Sequence, residues 1–401
     1  MITEGFPYGT REQSFIQTEY EELKKKYDVT ILSRSFDSQV KQEGYENEKV
    51  IRFSDRVSYR LLPKTIFNKD TIKELKKAFD KEKPIKQQLK LFKEILRYAN
   101  LALSGKSLIH EIIDKEDISI VYTYWCTQET LSCIWIKKEK PSLIAISRFH
   151  GADLYNERSQ NNWQPFRSLM AKELDLLVFV SEAGKRYFEE KWGRKGIVNY
   201  LGTRIKRQIA ENESEYVIVS CSNLIPLKRV EIIIAALAAV KREIQVKWYH
   251  FGDGVCRKEL EELADSLLGN KPNIEYHFRG FIRNDLLANE YCHIKPWLFI
   301  TTSSTEGGSP VSIQEALSMG IPCVGTDVGG IPEAIYDGYN GFLLKANPEA
   351  SDLTAVIERF YYMPKIERSE YRAHSYEVWE QKYDADNNAK AFVEEIDSLL
   401  L

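Results

Sequence analysis

From one end of the 401-residue chain to the other, short runs of β-branched and aliphatic residues alternate with longer stretches whose apolar positions recur at helical spacing. Such alternation predicts an α/β fold. Strand candidates in the first half are Val29 to Ser33, Ile118 to Tyr122, Leu143 to Ser147, Leu176 to Val180 and Gly196 to Asn199, after a very short opening run, Met1 to Thr3. Helix candidates between them include Ser14 to Lys25, Gln128 to Lys138 and Ser181 to Lys191, the last with Ser181 as N-cap and Glu182 in its first turn. The second half repeats the pattern with strands at Tyr216 to Cys221, Gln245 to Phe251, Ile274 to Phe278, Leu298 to Thr302 and Cys323 to Thr326. Polar residues without periodicity, Thr203 to Glu215, separate the halves. The expected organisation is one α/β domain over 1–202, a linker over 203–215, a second α/β domain over 216–376 and a terminal helix over 377–401.

Residues 69–100 interrupt this rhythm. Seven of the residues from Lys69 to Lys86 are lysines, and Leu75, Phe79, Leu89, Phe92 and Leu96 recur at helical spacing, with Pro84 dividing the stretch into two helices. It reads either as a solvated helical insertion or as a lysine-rich amphipathic surface lying on an anionic membrane.

Composition narrows the partners. With 56 basic and 59 acidic residues the net charge is −3, which gives no argument for nucleic acid. Six scattered cysteines without a CxxC pair point to free thiols in a reducing compartment, so a cytoplasmic protein is expected. The first residues, MITEGFPYG, lack a basic and apolar leader, and no apolar run reaches membrane-spanning length.

Candidate chemistry concentrates in SSTEGGSPVSIQEALSMGIPCVGTDVGG, Ser303 to Gly330. Ser309 is placed as N-cap and Pro310 as first helical residue, ahead of Val311. The free N–H groups of that helix start favour a phosphate, and Gly307 and Gly308 allow close approach. Glu306 and Glu315 near an anion are costly unless they accept hydrogen bonds from hydroxyls, which sugars supply; a nucleotide sugar meets both demands. Lys228 and Arg229 follow another strand and suit a diphosphate. In RFHGAD, Arg148 to Asp153, the turn at Gly151 puts His150 and Asp153 at a sheet's carboxyl edge. There is no Walker A loop, HExxH, GxSxG or zinc-ligand pattern. The Asp384/Asp386 pair falls inside the expected terminal helix and reads as a solvated face, so no metal or other cofactor is called for.

Glu306 to Glu315, followed by GIPCVGTDVGGIPEAI and DGYNGFLL and preceded in order by SNLIPLKRVEIIIAAL, WYHFGDG and FRGFIRNDL, resembles the retaining glycosyltransferases of family 4. The resemblance implies a GT-B fold, two Rossmann-like domains facing each other across a cleft, with the terminal helix crossing back to the first. It implies sugar transfer from a nucleoside-diphosphate donor, UDP-linked in preference to GDP-linked, to a glycan or lipid-linked acceptor, without a metal; the lysine-rich stretch 69–100 adds the inner face of the plasma membrane as the place expected for it. Lys228 matches the diphosphate lysine, with Arg229 as helper. Asn223 stands where the family often has arginine. Glu306 matches the acid at the donor sugar and reacting centre, Glu315 the acid at the ribose, and His150 with Gly151 and Asp153 the histidine segment near the donor sugar. The loop Phe6 to Gly9 matches a phosphate-facing loop, and Ser309 to Val311 the phosphate-facing helix start. Eight residues separate the two glutamates where the family has seven, and the glycine loop is expected to absorb the extra one. A non-catalytic nucleotide-sugar sensor is the alternative.

Overall fold

The structure is a computed structural model that describes the 401 residues except 9–12, 35–40, 55, 309 and 401; for 13–15, 284 and 285 it describes the backbone alone. The chain divides into two units, Met1–Tyr200 with Ala389–Leu401, and Leu201–Asn388.

The first unit is built on seven parallel strands: β1 (Ile2–Thr3), β2 (Ile31–Ser33), β3 (Val50–Arg52), β4 (Ile120–Thr123), β5 (Ile144–Phe149), β6 (Leu176–Phe179) and β7 (Ile197–Val198). Their order is β3-β2-β1-β4-β5-β6-β7. Strand β1 is two residues long yet central, paired to Leu32 and Ser33 on one side and Thr123 on the other. The second unit has six parallel strands, β8 (Tyr216–Cys221), β9 (Val246–Phe251), β10 (Ile274–Gly280), β11 (Leu298–Ile300), β12 (Cys323–Thr326) and β13 (Gly341–Leu344), in the order β10-β9-β8-β11-β12-β13. Both sheets are Rossmann-like. Strand order reverses between β1 and β4 in one and between β8 and β11 in the other. In open parallel sheets, ligands bind outside the carboxyl ends at such a reversal.

Local signals set many boundaries. Ser181 Oγ accepts from Gly184 N at 3.0 Å to cap the helix Glu182–Trp192, which ends at Gly193 with φ 70°. Residues 69–100 form two helices as the Pro84 break suggests, Lys69–Ala78 and Ile85–Lys115, but the second runs 15 residues beyond Asn100. Asn100, the expected end of the lysine-rich stretch, has a buried side chain, accepting from Ser58 N (2.8 Å) and donating to Ser58 O (3.1 Å) and Thr65 Oγ1 (2.9 Å).

The expected single terminal helix is two, Lys365–Lys382 and Ala385–Ser398. Between them Tyr383 O accepts from Thr203 N at 3.0 Å, a strand-like pairing that interrupts the helical ladder. Asp384 then accepts from Asp386 N (3.0 Å) and Asn387 N (3.4 Å) as the cap of the second helix. The Asp384/Asp386 pair is thus not a solvated helix face: Lys206 reaches both acids, at 3.0 and 3.2 Å, and Arg204 holds Asp386 at 3.0 Å. All six cysteines are free.

Candidate functional site

In the second unit the reversal lies between β8 and β11, and the loops that follow these two strands are laced together. After β8, Pro226–Lys228 form a single 3-10 turn ending in Arg229, which sits in left-handed backbone at φ 48°. Thr302 Oγ1 donates to the carbonyls of Lys228 (3.0 Å) and Arg229 (2.9 Å), and Ser304 N donates to Leu227 O at 2.8 Å. Arg229 answers across the same seam, donating to Thr302 O (2.7 Å), Ser303 O (2.9 Å), Ala346 O (2.8 Å) and Asn347 Oδ1 (3.0 Å). Its guanidinium is therefore engaged in holding three loops in register.

Lys228 points the other way and forms an ion pair with Glu306. The Lys228 side chain retains 20% of its exposure and Glu306 13%, so the pair sits at the mouth of the seam and remains reachable by a ligand. Behind it, Gly329 at φ 54° lies so close to Glu306 O that a Cβ would stand 2.0 Å away. The VGG turn after β12 thus fixes the backbone of Glu306, and only glycine fits there.

The helix that follows spans Val311–Ser318, one residue later than expected, with Pro310 as N-cap at φ −58°, ψ 139°. Proline has no N–H to leave unpaired and its extended ψ precedes the first helical turn. The helix begins at Val311, so Glu306 and Glu315 do not share one helical cylinder. Ser309 and Gly9 lie outside the described residues. Gly307, Gly308, Pro310 and Val311 are half-buried, and Asn223 is exposed.

Glu315 is buried, and burial raises its carboxyl from the ordinary 4.5 to about 8. Desolvation pushes the Tyr291 hydroxyl and the Cys221 thiol upward and the Glu315 charge pushes both further, while Lys228 opposes the effect at Cys221.

In the first unit, His150 and Asp153 follow β5, next to β4 at the reversal. Asp153 accepts from His150 N (2.6 Å) and Cys126 N (2.7 Å), one backbone donor per carboxylate oxygen, and so ties the loop after β5 to the loop after β4. Buried Arg167 donates to Asp153 O and Cys126 O, at 2.9 and 2.8 Å, locking the same two loops from behind. The His150 ring stacks on Trp125 with centroids 3.9 Å apart and lies 5.2 Å from Tyr124. Both ring nitrogens are buried and have no hydrogen-bond partner among the described residues, Asp153 Oδ2 being 3.9 Å from Nδ1 and too far to serve as one. A buried unpaired imidazole costs on the order of 1–3 kcal/mol, a cost a hydroxyl-bearing ligand would remove. Gly151 opens the turn and is buried. Of the Phe6 to Gly9 loop, Phe6 is buried in an aromatic cluster, 5.3 Å from Tyr20 and 4.9 Å from Tyr45.

Sequence reasoning missed Trp125, Arg167 and Thr302. The signal for Trp125 was present in TYWC, an aromatic run directly after a strand; Arg167, distant in sequence from what it braces, left none.

Residues 203–377 match the family model described as glycosyl transferases group 1. Among curated relatives, N-acetyl-alpha-D-glucosaminyl L-malate synthase of Bacillus anthracis is 23% identical over 291 residues, 68% of this chain and 72% of that protein. The putative teichuronic acid biosynthesis glycosyltransferase TuaC of Bacillus subtilis (strain 168) is 23% identical over 269 residues, 64% of each. A solved structure, Anabaena Alr3699/HepE in complex with UDP, is similar over 99% of this chain and 98% of that one, with a TM-score of 0.68 at 18% identity. The chain is a glycosyltransferase of the GT-B fold whose group 1 match lies in residues 203–377. The matched residues contain Lys228, Arg229, Glu306 and Glu315, whereas His150 and Asp153 lie outside them. Among the described residues of the glycosyltransferase, no group of three or more His, Cys, Asp or Glu side chains is placed to hold a metal ion, and no helix is long and apolar enough to cross a membrane.

Proposed function

We propose that this glycosyltransferase moves a sugar from a nucleoside-diphosphate donor, UDP-linked in preference to GDP-linked, to a hydroxyl of a glycan or lipid-linked saccharide, with retention and without a metal requirement, at the cytoplasmic face of the plasma membrane. The observation that carries this reading is the reachable Lys228–Glu306 ion pair at the β8/β11 reversal, beside the start of the helix Val311–Ser318. A diphosphate arriving there takes Lys228 as its counter-ion and the N–H groups of the helix start as donors. Glu306, released from the lysine, accepts from hydroxyls of the donor sugar. Glu315 accepts from the ribose, and Asn223 and the Gly307–Gly308 loop line the approach.

In this scheme the bond between the anomeric carbon and the diphosphate oxygen breaks while the acceptor oxygen bonds to the same carbon on the same face. The acceptor proton passes to the departing phosphate oxygen. The protein's task is to stabilise charge on the leaving group, through Lys228 and the helix amides, and to align the acceptor. His150 serves on the sugar side and Asp153 positions it. The UDP held by the similar Anabaena structure supports the choice of base, and the naming of a curated relative for teichuronic acid biosynthesis supports a surface-glycan acceptor.

The test is release of UDP on mixing the protein with UDP-sugars and candidate acceptors, together with thermal shifts on UDP and GDP. Turnover with retention is expected, and Glu306→Gln should reduce it at least ~100-fold with UDP binding preserved. A UDP shift without turnover under any acceptor would favour the sensor, and full activity in Glu306→Gln would remove that residue from the mechanism.

A further inference from the structure

Residues 56–93 carry twelve Lys and Arg against four Asp and Glu, in a chain whose overall charge is −3. The helical insertion is therefore a concentrated basic region on an otherwise acidic protein. Two of its four acids are turned inward. Asp70 accepts from Trp135 Nε1 (3.0 Å) and Lys138 Nζ (2.7 Å), and buried Glu74 accepts from Trp163 Nε1 (2.9 Å) and Phe166 N (2.8 Å). The helix Lys69–Ala78 thus packs its acids against the body of the first unit and leaves Lys69, Lys73, Lys76 and Lys77 exposed.

What shares that outer surface is apolar. Ile66, Phe67, Ile72, Phe79 and Phe92 line an open groove of about 390 Å³ rimmed by Lys76. Phe67 remains 77% exposed and Phe79 54%. On the following helix Ile85 (78% exposed) and Leu89 (62%) stand one turn apart and continue to Phe92, so their stripe runs into the groove. Lys86, Lys90 and Lys93 each follow one position behind that stripe and are exposed. Large aliphatic and aromatic side chains held in water beside so many cations require an occupant.

We propose that this face seats the protein on an anionic lipid bilayer, with Phe67, Phe79, Ile85 and Leu89 entering the headgroup–acyl boundary and the lysines pairing with lipid phosphates. Lysine stems can lie along the apolar surface while their ammonium groups stay at headgroup level, which suits a cation placed one residue from each inserting side chain. Charge rules out the simpler occupant: in a twofold contact between copies, the same basic surface would meet itself. Nucleic acid would answer the lysines but gains nothing from Ile85 and Leu89. The inference names the surface for the membrane-side acceptor of the preceding section, and its test contains no sugar donor, so either reading can fail alone.

The experiment is sedimentation of the full-length protein with vesicles of phosphatidylcholine alone and of an equal mixture with phosphatidylglycerol. Binding to the anionic vesicles, weak binding to the neutral ones and release on raising salt are expected. Lys81→Gln/Lys83→Gln/Lys86→Gln should weaken binding on the order of 100-fold, and Ile85→Ser/Leu89→Ser roughly tenfold, both with an unchanged thermal midpoint because every altered side chain is exposed. Equal binding to both vesicle types, undiminished binding by both variants, or no binding alongside a concentration-dependent dimer would each overturn the proposal.

Discussion

The two reversal points of this glycosyltransferase are built by opposite means. At β8/β11 the groups proposed to face the ligand, Lys228, Glu306 and Glu315, come from two short segments, braced through Thr302, Ser304 and Arg229 and, from the turn after β12, Gly329. At β1/β4 the His150 ring is held by buried Asp153 and Arg167 and half-buried Trp125, gathered from widely separated elements. The second unit spends few residues on support because its loops support each other, whereas the first depends on buried charge-assisted bonds. Function and stability should accordingly separate in one unit and travel together in the other.

The largest effect that tests this contrast is on activity. Lys228→Ala removes the counter-ion of the leaving group, and turnover should fall ~10²–10³-fold while stability changes by at most about 1–2 kcal/mol, since Glu306 retains access to water. Steady-state kinetics and a thermal melt on the same preparation check both halves. A melt lowered as far as the rate would erase the distinction. In the first unit, Asp153→Ala deletes two buried backbone anchors at once. It should cost roughly 3 kcal/mol, about 6–12 °C in melting temperature for a domain of this size, together with activity. Asp153→Asn, which keeps one acceptor, should lose about half as much; an Asp153→Ala protein with native stability would show that Arg167 alone holds the loops.

The same contrast governs how much the chain reveals. The α/β class, most strands and the candidate site groups of the second unit are legible because each is local: an apolar run, a glycine turn, a cation or acid at its end. Strand β13 is not, because Gly341 reads as a turn, when a Cβ there would stand 1.9 Å from Cys323 O and glycine is what lets the strand pair. Strand β3 is three residues at the sheet edge, Val50 and Ile51 half-buried and Arg52 exposed, too short to stand out as an apolar run. Asn100 and Asp384 mislead for a common reason. A polar residue in a helical pattern signals solvent or an end, and only tertiary partners tell that Asn100 is satisfied inside a helix while Asp384 begins a new one. The scaffold of His150 is illegible on the same ground, since Arg167 and Cys126 are brought together by the fold alone.

Glu315 offers a smaller effect, read through pH. Its carboxyl is raised to about 8 by burial, so between the unfolded value near 4.5 and about 8 the folded protein holds a proton that the unfolded chain has released. Stability should therefore fall as pH rises through that window, and Glu315→Gln should flatten the slope, gaining stability relative to the parent at pH 8 and little at pH 4.5. If ribose hydroxyls bind there, they favour the charged carboxylate, so UDP binding at pH 7 should release a proton. Calorimetry in buffers of different ionisation enthalpy measures it, and zero proton release would place the nucleotide away from Glu315.

The smallest effect concerns Asn223, exposed on the loop after β8, where a cation would stand beside the proposed diphosphate site. Arg229 does not fill that role by geometry, because its guanidinium is engaged with Thr302, Ser303, Ala346 and Asn347. Asn223→Arg adds a solvated cation at the edge of the diphosphate site, worth up to ~1 kcal/mol, or about fivefold in Kd for UDP. Uridine, which lacks the diphosphate, should bind both proteins alike, and the gain should vanish at high salt. Were Asn223→Arg to bind UDP no better than the parent, the two laced loops would already supply all the charge the phosphates can use, and support and ligand contact would be the same structure in the second unit.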